Sequence, residues 1–72
     1  MTLDSLAMGE CAKVSRVTAT NAMRRRLQDI GLIEGTTVQC IQPSPAGDPI
    51  AYLIRGAVIA LRSEDCANIV IM

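Results

Sequence analysis

Between Glu10 and Val17 apolar and polar residues alternate. Ala12 and Val14 fall on one side and Cys11, Lys13 and Ser15 on the other, the period-two signature of a half-buried strand. Val17 is out of phase, which predicts a bend at that end. The period then changes. Met23, Leu27 and Ile30 stand at i, i+4 and i+7, one face of a helix of about three turns. Thr18-Ala19-Thr20-Asn21 supplies capping residues before it, Gly31 a left-handed C-cap, and Leu32 a residue able to fold back on the helix end.

After a turn at Glu34-Gly35, Thr37 to Gln42 reads as a strand with Val38 and Cys40 facing one way. Pro43 to Pro49 carries prolines that remove donors and fix dihedrals, so it reads as a loop. Ile50 to Ile54 and Ala57 to Arg62 form a hairpin about a two-residue Arg55-Gly56 turn. Pairing outward from that turn sets Leu53 opposite Val58 and Ala51 opposite Ala60. On the other face it sets Tyr52 opposite Ile59 and Ile50 opposite Leu61. Thr2 is placed to cap a first turn carrying Leu3 and Leu6, with Gly9 ending it. Ser63 is placed to cap a last turn beginning Glu64-Asp65, and Ile69 to Met72 returns as a strand. The expected fold is mainly β with short helices: a small barrel of about five strands, with one helix inserted after the first strand.

At 72 residues the chain closes one hydrophobic core, so residues 1–72 are read as one domain. Half of the residues are apolar, yet Tyr52 is the single aromatic, so the core is aliphatic. Lys plus Arg equals Asp plus Glu at 7 each, leaving no net field toward nucleic acid or an anionic membrane. A single aromatic also cannot supply the stacking platforms of a single-strand binder or the groove of a Pro-x-x-Pro receptor. The start lacks a basic segment followed by an apolar run, and no stretch approaches spanning length. A cytoplasmic location without membrane insertion is therefore expected.

Histidine is absent, as is any Gly-x-x-x-x-Gly-Lys-Ser/Thr loop, so neither ordinary acid–base catalysis nor nucleotide binding is expected. No cofactor is implied. Cys11, Cys40 and Cys66 are odd in number and widely spaced, as free thiols in a reducing compartment are. They lack the C-x-x-C and histidine company of a metal site. Cys11 is expected outward, Cys40 inward, and Cys66 packed beside Ile69. A small cysteine-based metal or redox sensor remains the alternative function class.

Four segments, taken in order, are similar to a known family. They are Met23-Arg24-Arg25-Arg26-Leu27-Gln28-Asp29-Ile30-Gly31-Leu32, Gly35-Thr36-Thr37-Val38, Gly47-Asp48-Pro49-Ile50 and Ala60-Leu61-Arg62. Together they resemble FeoA, which carries an Arg-rich helix, a Gly-Thr turn, a Gly-Asp-Pro-Ile loop and a closing Leu-Arg strand. The resemblance implies an SH3-like barrel and a cytoplasmic role supporting FeoB, the membrane protein with a G domain that imports Fe(II). A related domain occurs in iron-dependent repressors, so an adaptor for such a transcription factor is a further alternative. The chain departs from the family pattern in having Glu34 before the turn glycine, Leu53 and Val58 on the outer hairpin face, and Ala57 after Gly56.

The candidate partner-binding residues follow. Arg24, Arg25 and Arg26 form a helical cluster of the residue type favoured at hot spots; the plain alternative is a solvated side with an Arg25–Asp29 pair. Leu53 and Val58, with Ile33 and Val70 as extensions, make the second hairpin face apolar. That face is either covered by the helix or termini, or it is an interface with a partner or with a second copy. Asp48 and Pro49 are loop candidates, with Asp48 also suited to an Asx turn onto its own backbone.

Overall fold

The computed structural model describes residues 1–43 and 48–72; Ser44–Gly47, within the loop expected from the prolines, lie outside the described residues. A 3₁₀ turn at Leu3–Ser5 leads into β1 (Cys11–Val17), α1 (Asn21–Asp29), β2 (Thr37–Pro43), β3 (Ile50–Ile54), β4 (Ala57–Leu61), α2 (Ser63–Cys66) and β5 (Ile69–Ile71). The strands form one antiparallel sheet of 5 in the order β4-β3-β2-β1-β5. This is the expected mainly β architecture with its helix after the first strand. Pro43 is a correction, because it closes β2 opposite Ile50 instead of opening the loop.

The hairpin pairs as its turn dictates. Arg55 and Gly56 both take positive φ, at 51° and 84°, whose twist matches that of the flanking strands. Ile54↔Ala57, Leu53↔Val58, Tyr52↔Ile59, Ala51↔Ala60 and Ile50↔Leu61 follow in register. β1 is not regular. Its pairing with β5 slips between Val14 and Arg16, which sets Val17 opposite Ile69 and accounts for the residue that broke the alternation.

α1 buries its Met23/Leu27/Ile30 stripe, with Leu27 inaccessible and its neighbours half-buried. Full burial of a leucine stabilises by about 1.5–3 kcal/mol. The helix ends in a Schellman arrangement: Leu32 N–H donates to Leu27 O at 2.9 Å and Gly31 N–H to Gln28 O at 3.0 Å, with Gly31 at φ 96°. A Cβ at position 31 would also lie 2.7 Å from Arg55 Cδ, so the glycine lets the hairpin turn rest on the helix end.

The caps differ from the expected ones. Thr20 is the N-cap of α1 and Thr2 that of the first turn, yet neither side chain makes a capping bond. That first turn gives way to extended backbone at Leu6, well before Gly9. Arg62, not Ser63, is the N-cap of α2.

The core lies on one side of the sheet. Leu3, Val14, Leu27, Leu32, Val38, Cys40, Tyr52, Ile54, Leu61, Cys66, Ile69 and Ile71 are buried together. Tyr52 crosses this core and its hydroxyl donates to Leu3 O at 3.3 Å, which ties the N-terminal turn to the hairpin and satisfies the buried polar atom. No helix is long and apolar enough to cross a membrane among the described residues.

Candidate functional site

Strand alternation sorts the hairpin into two faces. Toward the core, Ile59, Tyr52 and Cys40 form one cross-strand row. Away from it, Val58, Leu53, Gln39 and Cys11 form another across four strands. Val58 is 65% exposed and Leu53 half-buried, so neither α1 nor the termini shield Val58. An uncovered apolar row broken by one amide and one thiol is suited to contact, since burying it against a partner removes apolar area from water.

The three arginines of α1 do not form one set. Arg26 Nη2 donates to Asp65 Oδ2 at 3.2 Å, joining α1 to α2; the Asp65 side chain is 7% exposed and that of Arg26 66%. This ion pair occupies Arg26. Arg24 and Arg25 are exposed and unpaired among the described residues, and the Arg25–Asp29 pair weighed from spacing does not form. Arg24 instead shares a cleft with Arg16 of β1, Ile33 and Glu34. Arg16 was not a candidate from sequence; strict alternation sets it on the Ala12/Val14 side, and only the β1 irregularity turns it to solvent.

Ile33 is 43% exposed and also shares a second cleft with Arg55. Leu53 and Val58 line neither of these clefts, so the sequence candidates separate into a sheet face and a helix-side surface. Asp48 Oδ1 accepts from Ser63 N–H at 2.8 Å, so its carboxylate caps α2 across the fold; this replaces the expected turn onto its own backbone. Pro49 beside it is exposed.

The thiols are placed as their strands dictate: Cys11 exposed, Cys40 and Cys66 buried. Burial pushes the Cys66 thiol up to about 11, only partly offset by the nearby Tyr52 hydroxyl. Burial, then the nearby Glu10, raises Cys40. Burial raises Tyr52 as well, so the core is set to stay neutral. Among the described residues no three His, Cys, Asp or Glu side chains converge as a metal cage would require.

A family model for the FeoA domain matches residues 1–72. The chain belongs to the FeoA family. It is 35% identical over 69 residues to an Fe(2+) transport protein A/Fe(2+) transporter FeoB fusion protein of Porphyromonas gingivalis. The match takes in 96% of this chain but spans only 8% of the fusion protein's length. The FeoA protein of Chlorobium tepidum superposes with a TM-score of 0.92 at 35% identity, covering 99% of this chain and 68% of that one. FeoA of Stenotrophomonas maltophilia, a prokaryotic SH3-domain protein solved in complex with zinc, superposes at 0.88 with 29% identity, covering 100% of this chain and 89% of that one. The mainly β, SH3-like FeoA fold is thereby established, as is an association of the family with ferrous-iron transport.

Proposed function

We propose that this FeoA chain is a non-enzymatic, cytoplasmic accessory of bacterial ferrous-iron uptake, acting by docking on a cytoplasmic region of FeoB. One observation carries the reading: a relative joins the same domain covalently to FeoB, and fusion makes sense for two parts that work in contact. The exposed Leu53–Val58 row supplies a docking face, and Arg24, Arg25 and Ile33 supply a second contact on the helix side. Arg26 contributes less, because Asp65 already holds it. Asp48 serves by capping α2, which ties the chain entering β3 beside Pro49 to that helix.

Docking biases transport only to the extent that its free energy differs between FeoB states. Capture on immobilised cognate FeoB tests the reading, using Leu53→Asp/Arg25→Asp double-variant protein whose far-ultraviolet dichroism matches the parent. Retention of the variant is expected to fall, and unchanged retention rejects this surface. Repeating the capture with and without a GTP analogue reports whether the partner's nucleotide state matters. Self-association through the same apolar face is the competing occupancy, revealed if the double substitution alters the oligomeric state instead of capture. A thiol-sensing role has less support, since Cys40 and Cys66 are buried and held protonated.

A further inference from the structure

The two edges of the sheet are unequally protected. At β5 the edge is short, 3 residues, and is overlaid by the N-terminal segment: Thr2 bridges Val70, and Ile71 N–H donates to Met1 O at 2.9 Å. At β4 the edge is 5 residues, Ala57-Val58-Ile59-Ala60-Leu61, with no charge, proline or bulge. Natural sheets blunt an open edge with such devices, and a strand lacking all of them is a template for another strand.

The ladder identifies which groups are free. A two-residue turn makes Ile54↔Ala57 a hydrogen-bonded pair, so bonded pairs recur at Tyr52↔Ile59 and Ile50↔Leu61. The N–H and C=O of Val58 and Ala60 therefore point away from β3. The same alternation carries through to β2, where Cys40 bonds toward Gly9 and Glu10 on the β1 side. Among the described residues, no backbone group outside the strands bonds Val58 or Ala60.

From these observations we infer that β4 is a self-pairing edge, whose occupant is the β4 of a second copy, antiparallel about a two-fold axis at Ile59. This inference concerns the strand edge and stands independently of FeoB docking. In that register Val58 and Ala60′ exchange two backbone bonds, as do Ala60 and Val58′. Side-chain volumes match as well: Val58 faces alanine, Leu61 faces Ala57′, and Ile59 meets its own copy. Large faces small at the four flanking positions, which leaves room for the two isoleucines to meet at the axis. Ile59 also lines a cleft of about 510 Å³ that is apolar along Met23 and Ile30 of α1 and charged toward Arg62 and Glu64.

Charge supports the same occupant. The turn residue Arg55 is exposed and unpaired among the described residues, at the start of β4; Glu64 is exposed just past its end, with only a 3.8 Å contact to Arg62. Antiparallel two-fold pairing sets the Arg55 end of each copy alongside the Arg62–Glu64 pair of the other, where Arg55 meets Glu64 by taking over its long contact with Arg62. Such a contact is isologous and closes at two copies.

Sedimentation equilibrium over a wide concentration range, combined with amide hydrogen exchange, tests this. The parent is expected to form a dimer as concentration rises, with exchange at Val58 and Ala60 slowing by roughly tenfold once dimer predominates. Ala60→Pro removes an outward donor while sparing the β3 ladder, and Val58→Lys charges the edge; both are expected to stay monomeric with dichroism unchanged. Arg55→Glu is expected to weaken the dimer and added Glu64→Arg to restore it. A parent that is monomeric throughout overturns the proposal, as does a dimer that survives both edge variants. Protection of these amides that arises only on adding FeoB assigns the edge to that partner and likewise overturns it.

Discussion

The two faces of the β3–β4 hairpin have nearly the same hydrophobicity and opposite fates. Tyr52, Ile54 and Leu61 are inaccessible or nearly so, whereas Val58 on the reverse side stands in solvent and Leu53 is half-covered. Composition does not separate them; position relative to the single core does. An aliphatic strand in a chain this small has only one interior to enter, so the second apolar face must find its cover outside the molecule. Stability is invested in one face and contact in the other.

The largest expected effect cuts at that division. Tyr52→Ala empties the centre of the core and removes the bond to Leu3, and should cost about 3–5 kcal/mol in urea unfolding. Val58→Ala should change stability by less than about 0.5 kcal/mol. Comparable losses at the two sites would erase the distinction.

Next comes alkali, through the buried thiols beneath the core-facing side of the hairpin. A buried thiol with its pKa raised from 9.0 to about 11 stabilises the fold fully below the unfolded value, and the contribution is lost as pH rises from about 9 through 11. Cys40 and Tyr52 shift in the same direction and steepen the loss. The expected decline is on the order of 2–3 kcal/mol from Cys66, seen as a falling melting temperature in that window. Cys66→Ala should flatten that limb. In the folded protein at neutral pH a thiol reagent should modify Cys11 alone, and Cys40 and Cys66 only on unfolding.

A smaller effect carries the contrast to α1. Arg26→Met leaves the Asp65 carboxylate buried without its partner and should cost about 1–3 kcal/mol. The same change at the solvated Arg25 should fall within about 0.5 kcal/mol. Smallest of all is Val58→Lys, for which thermal stability should stay within about 0.5 kcal/mol of the parent. That near-neutrality sharpens the comparison, because any loss of association then reflects the surface alone.

Features set by neighbours along the chain were legible in the sequence. The Arg55-Gly56 turn dictates every hairpin pair, and Gly31 followed by Leu32 announces the helix end, because both depend on a few adjacent dihedrals. Features joining distant segments were not. The Arg26–Asp65 ion pair spans 39 positions and the Asp48 cap of α2 spans 15, and side-chain identity alone does not say which carboxylate meets which donor. The convergence of Arg16 with Arg24 needs the β1 irregularity and the placement of α1 together. The candidate surface was therefore readable as residue types, while its division into a sheet face and a helix side required the fold.

The contact of the Arg55 stem with Gly31 has a mechanical consequence. Hairpin tip and helix terminus pack against one another there, so that contact sets the spacing between the positive ridge of α1 and the aliphatic sheet. Any molecule that grips both must match that gauge, and loosening the contact would blur the match before it unfolded the domain.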